Sequence, residues 1–252
     1  MSGHSKWSTI KHGKAVTDAR RGQLFTKLAK EVIIAAQQGG GDPNANFRLR
    51  IAVQRAKDAN MPVDNIQRAI KRATGEGSDG DQMTEVIYEG YGPGGTAILL
   101  QTVTDNKNRT VSDIRSTFSK GGGNMSEAGT VAWQFEQKGV VVAESGSRDP
   151  DELALEAIDA GADDFDADGT RLHLYAAPDR MEDLRKAMAD SGASVTSSEL
   201  AMIPKNTVPL DEKTAMSALR LLDRLEELDD VQRVFSNADF PDSALEEYEK
   251  EE

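Results

Sequence analysis

The chain has 252 residues, a formal charge of −13 and no cysteine, which excludes disulfides, thiol chemistry and cysteine-ligated zinc and fits a reducing compartment. Its length suits two or three domains with a core that needs no covalent staple. No apolar run approaches the roughly 18 residues of a membrane span, and residues 1–7 lack the apolar stretch of a secretory signal, so a soluble cytoplasmic protein is expected.

The charge is unevenly spread. Residues 1–75 hold 14 Lys and Arg against 5 Asp and Glu, a local charge of +9, and the remainder carries −22. Such asymmetry points to an anion-binding surface on an otherwise acidic, self-repelling body. A basic arm comes first, over residues 1–22, with Lys6, Trp7, Lys11, Lys14, Arg20 and Arg21. Leu24, Leu28, Val32 and Ala35 then recur at helical spacing, predicting a helix over 24–38 that Gly39, Gly40 and Gly41 stop. Asp42 and Pro43 suit the cap and first position of a second helix, with Leu49, Ala52, Val53 and Ala56 inward and Asn60 and Pro62 at its end. Asp64 suits the cap of a third, with Ile66, Ile70 and Ala73 inward. Helices this short are not stable alone, so the three predict a bundle over 23–76.

Residues 75–81 have a linker composition, and the period then changes from helical to alternating. Val86 and Tyr88 alternate with polar neighbours, and 96–103 is an apolar run suited to a central strand. Between them, Gly90 to Thr96 predicts a tight turn, because it lacks the Gly-Lys-Ser/Thr ending and following helix of a phosphate loop. Thr110 to Asp113 has a capping-box pattern, with Val111, Ile114 and Phe118 following on one helical face. Residues 121–129 form a glycine-rich excursion with Asn124 and an exposed Met125 at its tip, read either as a plain connector or as a loop that contacts a partner. Val131, Trp133 and Phe135 alternate as a further strand.

From Gly139 the order is β-α-β-β-α-β, the ferredoxin-like arrangement in which a helix pair covers one face of an antiparallel sheet. A helix over 211–228 and a strand over 231–235 are too few for a fold of their own and are expected to return to the sheet begun at Val86. Residues 239–252, with seven acids and one lysine, resemble a frayed acidic tail. The expected fold class is therefore α+β in three domains: an N-terminal three-helix bundle and two α+β, ferredoxin-like domains, the middle one discontinuous. The expected bounds are 82–136 plus 206–238 for the middle domain and 137–205 for the last.

On the third helix Arg68, Lys71 and Arg72 stand at i, i+3, i+4, away from Ile66 and Ile70. On the second, Arg48 and Arg55 are seven apart, as are Arg50 and Lys57, so each pair repeats along one side. Solvated faces normally alternate sign and this one offers few acids, so these residues and the arm are the candidate nucleic-acid contacts. Trp7, with His4 and His12, either stacks on unpaired bases or docks the arm onto the bundle. The three histidines, 4, 12 and 173, have no ligand spacing, and no nucleophile–base pair or cofactor motif stands out. No enzyme activity, metal, cofactor, membrane or small-molecule partner is expected.

Several stretches together resemble the YebC/PmpR family: Gly3 to Trp7, Lys14 to Gly22, Phe25 to Leu28, Asn60-Met61-Pro62, Tyr88 to Thr96, Thr104 to Thr110 and Val131 to Trp133. The resemblance runs to about Phe240. It implies a helical domain followed by two α+β domains, the middle one discontinuous. Bacterial members are described as transcriptional regulators that bind DNA. Mitochondrial members act as translational activators, and bacterial relatives are linked to stalled ribosomes. The resemblance thus implies a nucleic-acid partner, either DNA or ribosomal RNA on the ribosome, and no catalytic residue. A protein–protein adaptor acting through the acidic domains is a third reading.

Overall fold

The computed structural model describes residues 18–75 and 83–251, with the side chains of residues 18–20 and 251 left out. Lys6, Trp7, Lys11, Lys14, His4 and His12 of the arm lie outside the described residues, as does all of the linker beyond Gly75.

The first three helices are α1 (Asp18–Gly39), α2 (Phe47–Asp58) and α3 (Val63–Ala73). Leu28, Val32 and Ala35 of α1 meet Leu49, Ala52 and Ala56 of α2 and Ile66 and Ala69 of α3 in buried clusters. α1 begins six residues before the apolar pattern, because residues 18–23 carry no apolar side chains recurring at helical spacing to mark its first turns. α2 opens later than the Asp42–Pro43 pair suggested. Its cap is Asn46, whose Oδ1 accepts from the Leu49 N–H (3.0 Å) while Nδ2 donates to the carbonyls of Ala35 (2.8 Å) and Gly40 (2.8 Å). One buried amide thereby closes the end of α1 and the start of α2. Gly39 is required beside it, since a Cβ there would lie 2.6 Å from the Asn46 side chain. Asp64 is likewise not a cap: α3 follows Pro62, and Asp64 lies in its first turn.

A first antiparallel sheet has the order β3 (Asn124–Ser126), β1 (Thr84–Tyr91), β2 (Ala97–Thr104), β9 (Val231–Ser236). One face packs on α4 (Lys107–Lys120), α7 (Glu212–Glu226) and α8 (Asp242–Glu251), around Ile98, Leu100, Phe118, Leu219, Leu222 and Val234. The return of the late helix and strand to the sheet of Val86 is thus observed, β9 pairing with β2. On the opposite face Val103 joins the core of α1 and α2, while Leu99 and Phe235 meet Val131, Phe135, Ala201 and Met202.

The second sheet has the order β5 (Asp164–Asp168), β6 (Arg171–Ala176), β4 (Phe135–Glu144), β7 (Ser194–Pro204), with α5 (Pro150–Asp159) and α6 (Met181–Asp190) on one face. This is the ferredoxin-like order, with every pair antiparallel. A short parallel pair, β8 (Val208–Pro209) with β10 (Ala238–Asp239), closes the chain's return. The fold is α+β, with an N-terminal helical bundle and two α+β units, the first of them completed by the end of the chain.

Four local expectations are corrected. α4 starts at Lys107 under an Asn106 cap that accepts from the Arg109 N–H, so Thr110 is a buried helical residue and no capping box forms. Residues 132–134 form a 3-10 turn, not a strand, and Trp133 is 67 % exposed. Residues 124–126 are strand β3, paired to β1, and Met125 packs on the first core instead of standing at a loop tip. Gly90 lets β3 come that close: a Cβ there would lie 2.7 Å from the Asn124 carbonyl oxygen. The acidic tail is also ordered as α8, because Ala244, Leu245 and Tyr248 bury on α7 while Glu246, Glu247 and Glu249 face water, and the Tyr248 hydroxyl donates to Asp223.

The segment after β3 is held by an internal anion. Buried Glu89 of β1 accepts from the backbone N–H groups of Gly129 (2.7 Å), Val131 (2.6 Å) and Ala132 (2.9 Å). Burial opposes its charge, but those bonds more than compensate and hold its carboxyl below the ordinary value.

Two ion networks bind the helical bundle to the sheets. Asp230, whose side chain is 7 % exposed, accepts from Lys30 of α1 (2.7 Å), Arg109 (2.8 Å) and Thr110 (2.8 Å) of α4, and Thr104 of β2 (3.2 Å). Much of the Thr104–Thr110 motif is therefore spent on one carboxylate. In the second network Arg55 of α2 bridges Glu31 of α1 (2.8 Å) and Glu199 of β7 (3.4 Å), while Arg233 of β9 reaches the same two acids at 3.8 and 3.5 Å. Two guanidiniums and two carboxylates alternate in a ring across all three bodies.

Burial raises the proton affinity of Asp230, but Lys30, Arg109 and Thr110 outweigh it and bring its pKa down to about 2 from 3.8. Since the folded value lies below the unfolded one, this stability is present above about pH 4 and drains away toward pH 2. Acid titration followed by circular dichroism should show Asp230→Asn losing the wild type's fall in stability in that window. At neutral pH Asp230→Ala should cost roughly 3 kcal/mol, because it leaves Lys30 without its carboxylate and Arg109 with Asp105 alone. Asn46→Ala should cost about 2 kcal/mol in a denaturant titration, through the lost cap and two orphaned carbonyls.

Candidate nucleic-acid interface

α3 packs against α1 and α2, so its outer side is free of the two sheets. Ile66 and Ala69 bury inward, which turns Arg68, Lys71 and Arg72 to solvent. Asp64 in the first turn and Lys71 and Arg72 in the last also match the helix dipole, which favours acids at the start and cations at the end. Neither Arg68 nor Lys71 makes an ion pair among the described residues. Arg72 is exposed and engages a neighbour, and Arg21 does the same on the first turns of α1. The backbone of Arg20 is helical.

The two arginines of α2 go elsewhere. Arg48 pairs with Glu85 of β1 at 2.6 Å and also donates to Gln38. Arg55 is half-buried in the four-charge ring. Burial works against its charge, but Glu31 and Glu199 more than offset that and raise its pKa above the ordinary value. The seven-residue spacing placed Arg48 and Arg55 on one side of α2 correctly, yet that side faces the sheets. They are therefore not brought together with Arg68, Lys71 and Arg72. Asn124 and Met125 lie on β3, at the edge of the first sheet.

Further basic groups went unmarked in sequence. α4 exposes Lys107, Arg115 and Lys120 with Asp113 beside them, a pattern masked by the attention its apolar face draws. Phe47, half exposed at the start of α2, carries the Arg50 guanidinium 5.3 Å from its ring centroid. Among the described residues there is no group of three His, Asp or Glu placed to hold a metal ion, and no helix long and apolar enough to cross a membrane.

Residues 5–76 match the TACO1/YebC protein N-terminal domain, and residues 83–238 match the TACO1/YebC second and third domain. The chain belongs to the TACO1/YebC family. It is 56 % identical to a "probable transcriptional regulatory protein" of Dehalococcoides mccartyi, over 98 % of each chain. A Chloroflexus aggregans protein of the same designation is 50 % identical, over 99 % of this chain and all of its own. Among solved structures, a conserved hypothetical protein of Aquifex aeolicus superposes with a TM-score of 0.84 at 42 % identity, covering 92 % of this chain and 96 % of that one. The family resemblance and the fold class expected from sequence agree with these matches.

The two sets of arginines should separate by stability. Arg68→Glu with Lys71→Glu should leave the thermal midpoint within a degree or two, since exposed charges away from partners contribute little. Arg55→Glu should lower it by several degrees, because it places a third carboxylate between Glu31 and Glu199.

Proposed function

We propose that this chain is a non-enzymatic regulator of gene expression, acting in the cytoplasm by holding nucleic acid, and that the outer side of α3 is its phosphate-binding surface. The observation that carries the reading is the exposed set Arg68, Lys71 and Arg72 within a region of charge +9 on a chain of charge −13. Phosphate contacts from such groups supply most non-specific affinity and fix register on the backbone. The basic arm with Lys6, Lys11, Lys14, Arg20 and Arg21 adds further cationic charge for the same anion in this reading. The designation of the relatives as transcriptional regulators supports DNA as the target.

A second reading, a ribosome-associated translation factor holding ribosomal RNA, is favoured by the exposed basic residues of α4 and by exposed Trp133, both remote in sequence from α3. Contacts scattered over several bodies suit a folded RNA better than a compact operator half-site.

Filter binding against salt should give a log–log slope of about −0.9 per phosphate neutralised on duplex DNA, or about −0.7 on single strands. Charge reversal at Arg68, Lys71 and Arg72 should weaken binding by on the order of a hundredfold and flatten that slope. Unchanged affinity and slope would refute the surface. Crosslinking in cells and sequencing the captured strands distinguishes promoter DNA from ribosomal RNA.

A further inference from the structure

A cleft of about 580 Å³ opens where α2 faces the two sheets, within the size range of roughly 300–1,000 Å³ usual for small-ligand sites. The apolar part of its wall comes from Ile34, Ile51, Ile87 and Leu200, and Phe47 stands at it. Phe47 and Ile87 are 50 % and 49 % exposed, among the most exposed large apolar residues of the molecule. Exposed apolar groups gathered on one concavity are unusual unless something covers them.

The polar lining is equally specific. Ile87, Gln101 and Arg233 stand in register across β1, β2 and β9, so their side chains share the cleft face. The register shifts after Gln101, which pairs with Arg233 while Thr102 pairs with Val231. Gln232 is therefore the extra residue of a β-bulge, a feature that re-aims side chains and recurs at functional sites. Its amide nitrogen and oxygen are both shielded from solvent and have no hydrogen-bond partner among the described residues. Gln101 and Gln137 also line the cleft and make no side-chain hydrogen bond among the described residues. A buried amide left unpaired is rare in a folded protein and calls for a partner.

Glutamine amides present a donor beside an acceptor, the complement of a base edge, and an aromatic ring offers a face on which a base stacks. Arg48 lies at the same cleft, and its pair with exposed Glu85 is of the weak kind that a phosphate displaces. We propose that this cleft receives a single unpaired nucleotide, its base against Phe47 and the amides of Gln101 and Gln137, with Gln232 turning out of its shielded position to meet it, and its phosphate toward Arg48. The proposal rests on the nucleic-acid reading above and narrows it, since a base can enter only from a single strand or after leaving its stack. An amphipathic peptide is the rival occupant.

The test compares a single-stranded oligonucleotide carrying 2-aminopurine with a fully paired duplex of equal length, using the full chain. Wild type should change the fluorescence of the single-stranded probe on binding. Phe47→Ala and Gln232→Leu should each weaken single-strand binding about tenfold and leave duplex binding unchanged, with melting curves confirming both variants fold. Arg68→Glu with Lys71→Glu should weaken both. If the cleft variants bind the single strand like wild type while the α3 variant does not, the cleft proposal fails and the phosphate surface stands. If wild type binds neither oligonucleotide, both fail. Displacement of the probe by amphipathic peptides, with no loss in the cleft variants, assigns the cleft to protein and also overturns it.

Discussion

A carboxylate buried as deeply as that of Asp230 stays ionised only where cations reach it, and its two come from different parts of the chain. Lys30 arrives from the helical bundle and Arg109 from the helix beside β2, while Asp230 itself precedes β9. The bundle therefore does not hang from the sheets on a tether. It is registered against them by a charge that would be expensive to leave alone. The ring of Glu31, Arg55, Glu199 and Arg233 repeats the device from the next residue of α1, and brings in the ferredoxin-like unit. Each carboxylate there serves two guanidiniums, so a rotation that frees one bond strains the others. This registration, with the apolar contacts of Val103, Leu99 and Phe235, gives the cleft bounded by all three bodies a defined shape.

The basic residues of the first 75 positions thus have two separate occupations. Arg55 and Lys30 are consumed internally, Arg48 sits in an exposed pair worth about 0–1 kcal/mol, and Arg68 and Lys71 face water. Only the last kind offers its full charge to an external anion. The net charge of +9 overstates what a nucleic acid would meet.

That distinction marks where the sequence was legible and where it was not. The inward positions of the three helices, the ferredoxin-like order and the return of β9 all rest on apolar periodicity, which burial imposes directly. Arg48 and Arg55 share the spacing logic of Arg68 and Arg72, but spacing gives the side of a helix and not what that side faces. Glu199 and Arg233 are remote from α2 in sequence, so nothing local announces the ring. The bulge at Gln232 depends on the register between two strands joined by a long excursion, which no local pattern encodes. The terminal helix was hidden by composition: seven acids drew attention from Leu245 and Tyr248, which hold it in place.

Glu89 bears on how this molecule meets anions. Three backbone N–H groups converging on one anion are what phosphate-binding nests are made of, and the turn from Gly129 to Ala132 builds one. The chain fills it with its own carboxylate. Under the proposed function, a polynucleotide would find that nest already neutralised and would meet the ammonium and guanidinium tips of α3 instead. Grip of that kind tolerates changes of strand path, as a nest cut to one phosphate does not.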